Sequence, residues 1–371
     1  MATAGTIIPL DSSEGMDKIT TTEKITTPYF SNGETTLAGT NIRSSSLSDT
    51  NENYFFGISH ADTLTTEEFN VTFGSTNGYG SAVGTNKKSR TEAIYKQFAS
   101  MLLAPSEVTG GFIISSPGSS PAIATGKDSE IFVLMAKRSQ MKDRLNKGNW
   151  TIALSGSTSA VGGYVGATQL FLTDDSVDGT PTATPAGNRY NVVSGSDGTV
   201  VTAASVTNYG YFYPDAGIVV LSGAELSASI PGALSSVDDT VIFRSASQNG
   251  FGTPSTQTDS KQALRFLNCV SNPLTLTPAG SLKFRDEEDQ VSAQYFCRVR
   301  SGHCNFSNNP TFVSGSQNKL RNSKMRGNPQ TFITGVQLYN DANEIIAVAN
   351  LSTPLKKNFS SEATIKVKLT Y

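Results

Sequence analysis

The sequence predicts a mainly β, multi-domain chain with a few short helices, an α+β class in which sheet predominates. Three observations lead there. Charged residues make up 16% of the chain and apolar ones 37%. Much of the remainder is Ser, Thr, Asn and Gly, a mix that suits strands and turns better than helices. Short apolar runs alternate with polar residues at a period of two. Turn signals such as Gly148-Asn149 and Asn308-Asn309-Pro310 punctuate those runs. At 371 residues the chain is long enough for two or three domains and a sizeable core.

Residues 1–50 are polar and rich in Thr and Ser, with no sustained periodicity. They predict an extended N-terminal arm, of the kind that orders against a partner. Residues 51–155 predict a core domain of mixed sheet and helix. Phe69, Val71 and Phe73 alternate with Asn70 and Thr72, as in a half-buried strand. Ser89 followed by Glu92 is a capping-box pattern. Ile94, Phe98, Met101 and Leu102 then fall on one helical face, and Pro105 ends the helix. "EIFVLMA" (130–136) reads as a buried strand, and "KRSQMKDRLNK" (137–147) as a short basic helix or turn. Trp150, Ile152 and Leu154 alternate in the next strand.

From 156 to 260 the composition shifts to Gly, Ser, Thr and Asp, with apolar bursts such as "GIVVLSG". This stretch predicts a β-rich central insertion domain, separable from its flanks. Residues 261–371 are again strand-like and are expected to complete the core. "TFITGVQLYNDANEIIAVANL" is two apolar runs joined by Asn340-Asp341-Ala342-Asn343, a hairpin signal. In "TIKVKLTY" Ile365, Val367, Leu369 and Tyr371 alternate with Thr364, Lys366, Lys368 and Thr370. That alternation predicts an amphipathic last strand with one face on the hairpin.

The net charge of −2 gives no global field for nucleic acid or an acidic membrane. It is unevenly spread: residues 156–260 carry nine acidic and two basic residues, and residues 261–371 carry seven acidic and fourteen basic. Blocks of opposite sign can steer neighbouring subunits together, or can simply be solvated surfaces. No stretch approaches 18 consecutive apolar residues, so no membrane span is expected. No secretory signal is visible in the first residues, so synthesis in a cytoplasm is expected, and with it few disulfides.

Chemistry finds few footholds. "QYFCRVRSGHCNFSNNPTF" (294–312) gathers Cys297, His303 and Cys304, but a zinc site needs more ligands at closer spacing. In a strand Cys297 behaves as a small apolar residue. The segment reads as a strand, a polar turn, an anchor at Phe306 and an Asn-Pro corner. His60-Ala61-Asp62 lacks an accompanying nucleophile elbow. The acidic clusters "DDSVDG" (174–179) and "RDEED" (285–289) do not match a calcium loop, and the second reads as a helix face or turn. "VGGYVGA" (161–167) lacks the dinucleotide fingerprint and a P-loop lysine. "KRSQMKDR" (137–144) and "KLRNSKMR" (319–326) read as solvated or interface faces, with few interleaved aromatics. No catalytic, cofactor-binding or metal-binding residue is assigned.

Several stretches together resemble a family of virion structural proteins from tailed bacteriophages, commonest in contractile-tailed phages and cyanophages among them. They are "TEEFNVTFGSTNGYGS", "SRTEAIYKQFASMLLAP", "KRSQMKDRLNKGNWTIAL", "FCRVRSGHCNFSNNPTF" and "ITGVQLYNDANEIIAVANLSTPLKKNF". The likeness covers residues 54–155 and 261–371, with Cys304 as a departure. It implies a non-enzymatic tail or baseplate component, or a neck or head-associated one. The expected partners are other virion proteins and copies of the chain itself, with no nucleic acid, membrane or small-molecule substrate. Two other classes stay open: a receptor- or glycan-binding β module using "YGYFYPD" (209–215), and an envelope hydrolase.

Overall fold

The computed structural model describes residues 7–11, 17–28, 36–38, 42–44, 55–60, 67–76, 90–114, 127–128, 130–155, 169–201, 207–226, 262–270, 280–317 and 319–371. The fold is mainly β with two α-helices among those residues. The chain divides into two compact units, Ile25–Glu288 and a smaller one that joins Met1–Lys24 to Asp289–Tyr371.

The larger unit is built on a 13-stranded sheet whose resolved pairings are all antiparallel. Its order is β2 (Thr36–Ala38), β15 (Ser281–Lys283), β8 (Thr151–Ser155), β9 (Gln169–Asp174), β11 (Gly187–Ser196), β13 (Asn208–Tyr213), β14 (Ile218–Ser222), β6 (Glu130–Ala136), β5 (Glu67–Ser75), β4 (Phe55–His60) and β3 (Ile42–Ser44). Short strands β10 (Thr182–Thr184) and β12 (Thr199–Val200) pair with β11.

The central strands carry continuous apolar runs because both of their faces are covered, as runs of that type imply. All five residues of β14 are buried. Alternate residues enter two cores. Ile131, Val133, Tyr211, Tyr213, Ile218 and Val220 pack with helix α1 (Arg90–Leu102). Phe132, Leu134, Phe212, Val219 and Leu221 face the other way, into the core that holds helix α2 (Gln262–Val270). Trp150 stacks on Phe284 there at 5.1 Å between centroids, and Phe132 lies 5.8 Å from Phe266. Burying each such side chain contributes roughly 1.5–3 kcal/mol.

Several expectations need correction. The composition-based insertion is not a separate body: β9, β11, β13 and β14 lie in the sheet between β8 and β6. The described turns there are rich in Gly and Asp, as at 175–179 and Asp197-Gly198, while β13 and β14 are almost wholly buried. Residues 261–288 do complete that core, but 289–371 belong to the smaller unit. The N-terminal stretch is not wholly an unpaired arm, since β1 (Lys18–Pro28), β2 and β3 are strands of this chain's own sheets. Helix α1 buries Thr91, Tyr95, Phe98, Ala99 and Leu102, while Met101 stays 43% exposed. The face is therefore rotated from the expected one by about one residue. The expected cap, Ser89, lies outside the described residues. α2 replaces an expected strand. Residues 137–147 form turns and the short strand β7 (Arg144–Leu145), with no helix. "RDEED" opens a 15-residue strand, β16 (Arg285–Val299), where Asp286 and Glu287 pair with β7.

In the smaller unit β16 continues and pairs with β21 (Ala363–Thr370), from Ser292↔Thr370 to Val299↔Ala363. β1 flanks β16 on its other side. β17 (Val313–Ser314) pairs with β18 (Lys319–Leu320). β19 (Thr331–Tyr339) and β20 (Ile345–Lys357) make the expected hairpin, closed where Asn343 takes a φ of +62°. Ile365 and Val367 of β21 pack in one core with Leu338, Ile333, Val336, Ala347 and Leu351 of the hairpin. Lys366 and Lys368 face out, as the alternation requires. Tyr371 does not join its apolar neighbours and is 70% exposed.

Candidate functional site

Three places combine polar side chains with geometry that chemistry or binding would need. The first is the corner after β16. The chain turns through residues 300–304, with Cys304 in the left-handed region at φ +54°. Asn305 is buried and donates to the Ser301 carbonyl. Into this turn reaches Lys357, the last residue of β20, with its side chain fully buried. Its Nζ donates to Ser301 O (2.9 Å), Asn305 Oδ1 (3.0 Å) and Asn358 O (2.8 Å). Burial pushes the Lys357 pKa down. The Thr331 hydroxyl donates to the Cys304 carbonyl, which ties the base of the hairpin to the same turn. Phe306 and Phe312 meet edge to face at 5.8 Å, and Asn309 caps the following turn through Thr311. The three acceptors spend the lysine's three protons on architecture.

The second place is the strap that follows α1. Phe112 N donates to the Tyr95 hydroxyl, which donates to the Asp128 carbonyl. The Asp128 carboxylate accepts from Ile114 N at 2.7 Å and from the Ser222 hydroxyl. Burial, with help from Glu225 and Glu130, raises its pKa to about 6. Burial likewise raises the Tyr95 hydroxyl to about 12. Nearby, the Arg189 guanidinium lies 4.2 Å over the Tyr211 ring and pairs with Glu107 at 3.2 Å. Tyr95 and Asp128 are buried, the partly buried Arg189 is held by the more exposed Glu107, and each finds a partner, an arrangement that fixes a loop.

The third place is the outer face of the hairpin. Its inner face fills the core of the smaller unit, and its outer face presents Phe332 (59% exposed), Tyr339, Ile345, Ile346 (61%) and Val348 (60%). The register puts Tyr339 opposite Ile345, Gln337 opposite Val348, and Phe332 opposite Lys356. Isolated exposed apolar side chains are ordinary, but a row of them on one sheet face marks a contact surface.

The residues singled out in the sequence distribute themselves as follows. Cys269, Cys297 and Cys304 are free thiols, and Cys297 packs against Ile365 and its neighbours as a small apolar residue. His60 lies on β4, and Asp62 is outside the described residues. Asp174 of "DDSVDG" is buried and accepts from Gly148 N at 2.9 Å, while Asp175 holds Asn191 through its backbone N–H and side-chain amide. Among the described residues no three His, Cys, Asp or Glu side chains are placed to hold a metal ion. "VGGYVGA" lies outside the described residues. The aromatics of "YGYFYPD" are internal: Tyr211, Phe212 and Tyr213 are 8%, 0% and 0% exposed. Sequence reasoning missed the Lys357 lock and the hairpin's outer face. The signal for the second was present, because β20 reads "IIAV" at its start, with too few polar residues for a face in water.

No protein-family model, curated protein or solved structure matches the chain.

Proposed function

We propose that the chain is a non-enzymatic structural subunit of a tailed-bacteriophage virion, positioned in the tail or baseplate. A neck or head-associated position is the other location that the same reading allows. The observation that carries an assembly role is the hairpin's outer face, an apolar row that nothing covers among the described residues. A surface of that kind is retained where another molecule will cover it. The five stretches quoted above supply the kind of assembly. Their described residues lie on β5, on α1, on the turns around β7 and on β8, on the end of β16 with the corner after it, and on the hairpin. The glycan-binding alternative has less support, because Tyr211 and Tyr213 are core residues and Tyr209 is partly buried against the core. A cryo-EM map of the particle tests the reading. The expected result is density, repeated by the particle's symmetry, into which the 13-stranded sheet and its two helices fit. A complete particle map with no such density overturns it.

A further inference from the structure

The hairpin's outer face has an internal order that specifies its partner. Read from base to tip, cross-strand pairs are Phe332 with Lys356, then, past a bulge in which residues 351–354 stand against Thr334, Gly335 with Asn350 and Gln337 with Val348, and past a second irregularity Tyr339 with Ile345. Apolar side chains sit at both ends, and the smallest residue lies between them. The charges at the ends are opposite. Lys356 is exposed at the base, and Asp341 and Glu344 are exposed in the turn at the tip. Glu344 accepts from the Asn340 side chain at 2.8 Å, which holds that carboxylate at the tip. A face with this order is complementary to itself when one copy is turned end for end.

We propose that the outer faces of two β19–β20 hairpins from two copies of this chain stack antiparallel about a two-fold axis near Gly335. That symmetry makes the contact isologous, so each residue pair occurs twice. Phe332 of one copy lies on Tyr339 of the other, and Lys356 of one approaches the Asp341–Glu344 tip of the other. At the axis Gly335 has no side chain of its own, and the exposed Asn350 opposite it sets its amide beside the glycine. A nine-residue strand spans about 30 Å at ~3.3 Å per residue, and two strands are about 10 Å wide. The stacked plan is therefore roughly 300 Å², well under the ~800 Å² per partner of a standard stable interface. The smaller unit also carries twelve basic and eight acidic residues, a net of +4 that opposes pairing of like units. The contact is accordingly weak between free chains and gains strength when other contacts of an assembly hold the copies together. The proposal extends the assembly reading but does not need the assembly to be a virion.

The test uses the full chain at several hundred micromolar and a short thiol-to-thiol cross-linker. Two single variants, Phe332→Cys and Tyr339→Cys, are treated alone and as an equal mixture, beside the unaltered chain with its own three thiols. The expected result is a covalent dimer in the mixture at least several-fold above either variant alone, abolished when Val348→Asp is added to both. Equal yields alone and mixed, self-linking of Phe332→Cys, or no yield above the unaltered chain would each overturn the proposal. Sedimentation of the unaltered chain over the same concentrations guards against a folding defect in the variants, and a strict monomer throughout also overturns it. None of these outcomes depends on where the chain is found in a cell or particle. Failure here is therefore distinct from failure of the virion reading.

Discussion

Lys357 shows how a single residue can carry the corner that the sequence made conspicuous. Cys297, His303 and Cys304 draw the eye, yet the ammonium that arrives from 52 residues beyond Asn305 organises the turn. Replacing it with Met takes the donor from Asn305 Oδ1, while the Ser301 carbonyl keeps the Asn305 amide and the Asn358 carbonyl keeps Ser361. Unsatisfied buried groups cost on the order of 1–3 kcal/mol each before water relieves them. Lys357→Met should therefore lose at least about 1 kcal/mol in denaturant melts. A loss within 0.5 kcal/mol, the range of ordinary surface changes, would contradict the lock. Asp128 makes a second prediction. Its folded pKa of about 6 lies above the unfolded value near 3.8. The folded state therefore binds the proton more tightly, and this group's contribution to stability rises as pH falls from 7 through 6 toward 4. A shift of that size corresponds to at most ~3 kcal/mol. The stability of the native chain relative to Asp128→Asn should increase over that range, and a constant difference across it would remove Asp128 as the cause. Neither residue was legible in the sequence, because each acts through partners far away along the chain.

Elements whose own pattern decides their fate were legible. β6 is a bare apolar run and is buried. The β19–β20 turn is announced by Asn340–Asn343, and β21 alternates without a break. β21 supports a paired prediction. Val367 is 7% exposed in the hairpin core, and Lys366 points out. Val367→Asp should cost at least roughly 1.5–3 kcal/mol, because it loses apolar burial and introduces a charge. Lys366→Thr should stay within about 0.5 kcal/mol. Equal costs would mean that the exposed face is itself covered. α2 shows why other elements were missed. Ala263, Phe266, Leu267 and Val270 are spaced i, i+3, i+4 and i+7, a helical signal, but nine residues give it little length against strand-like surroundings. In α1 the periodic apolar set includes Met101, and the buried face instead runs through Tyr95 and Ala99. Two neighbouring stripes were both plausible on apolar count, and tertiary packing chose the one that brings the Tyr95 hydroxyl to Asp128. "RDEED" failed for a different reason. Its acids are held by β7 and by Arg144, at 3.0 Å from Glu287, and a strand paired in this way tolerates charges that an isolated pattern would assign to a helix face.

At the scale of the whole molecule the fold class was legible and the domain boundaries were not. Composition separates 156–260 from its flanks, but hydrogen bonding does not respect that change, since Leu172 pairs with Ile152 and Val220 with Val133. Replacing 169–222 with a flexible linker removes four strands from between β8 and β6. The larger unit should then lose its cooperative melt, and a retained sharp transition would restore the separable insertion. The proposed virion role rests on the uncovered hairpin face together with the five resembling stretches, and quantitative mass spectrometry of intact particles from cells that make the chain tests it most directly. The predicted result is the chain present in purified particles at a fixed copy ratio to their other structural proteins. Its absence from complete particles, with the chain left in the host's soluble fraction, would contradict a virion role.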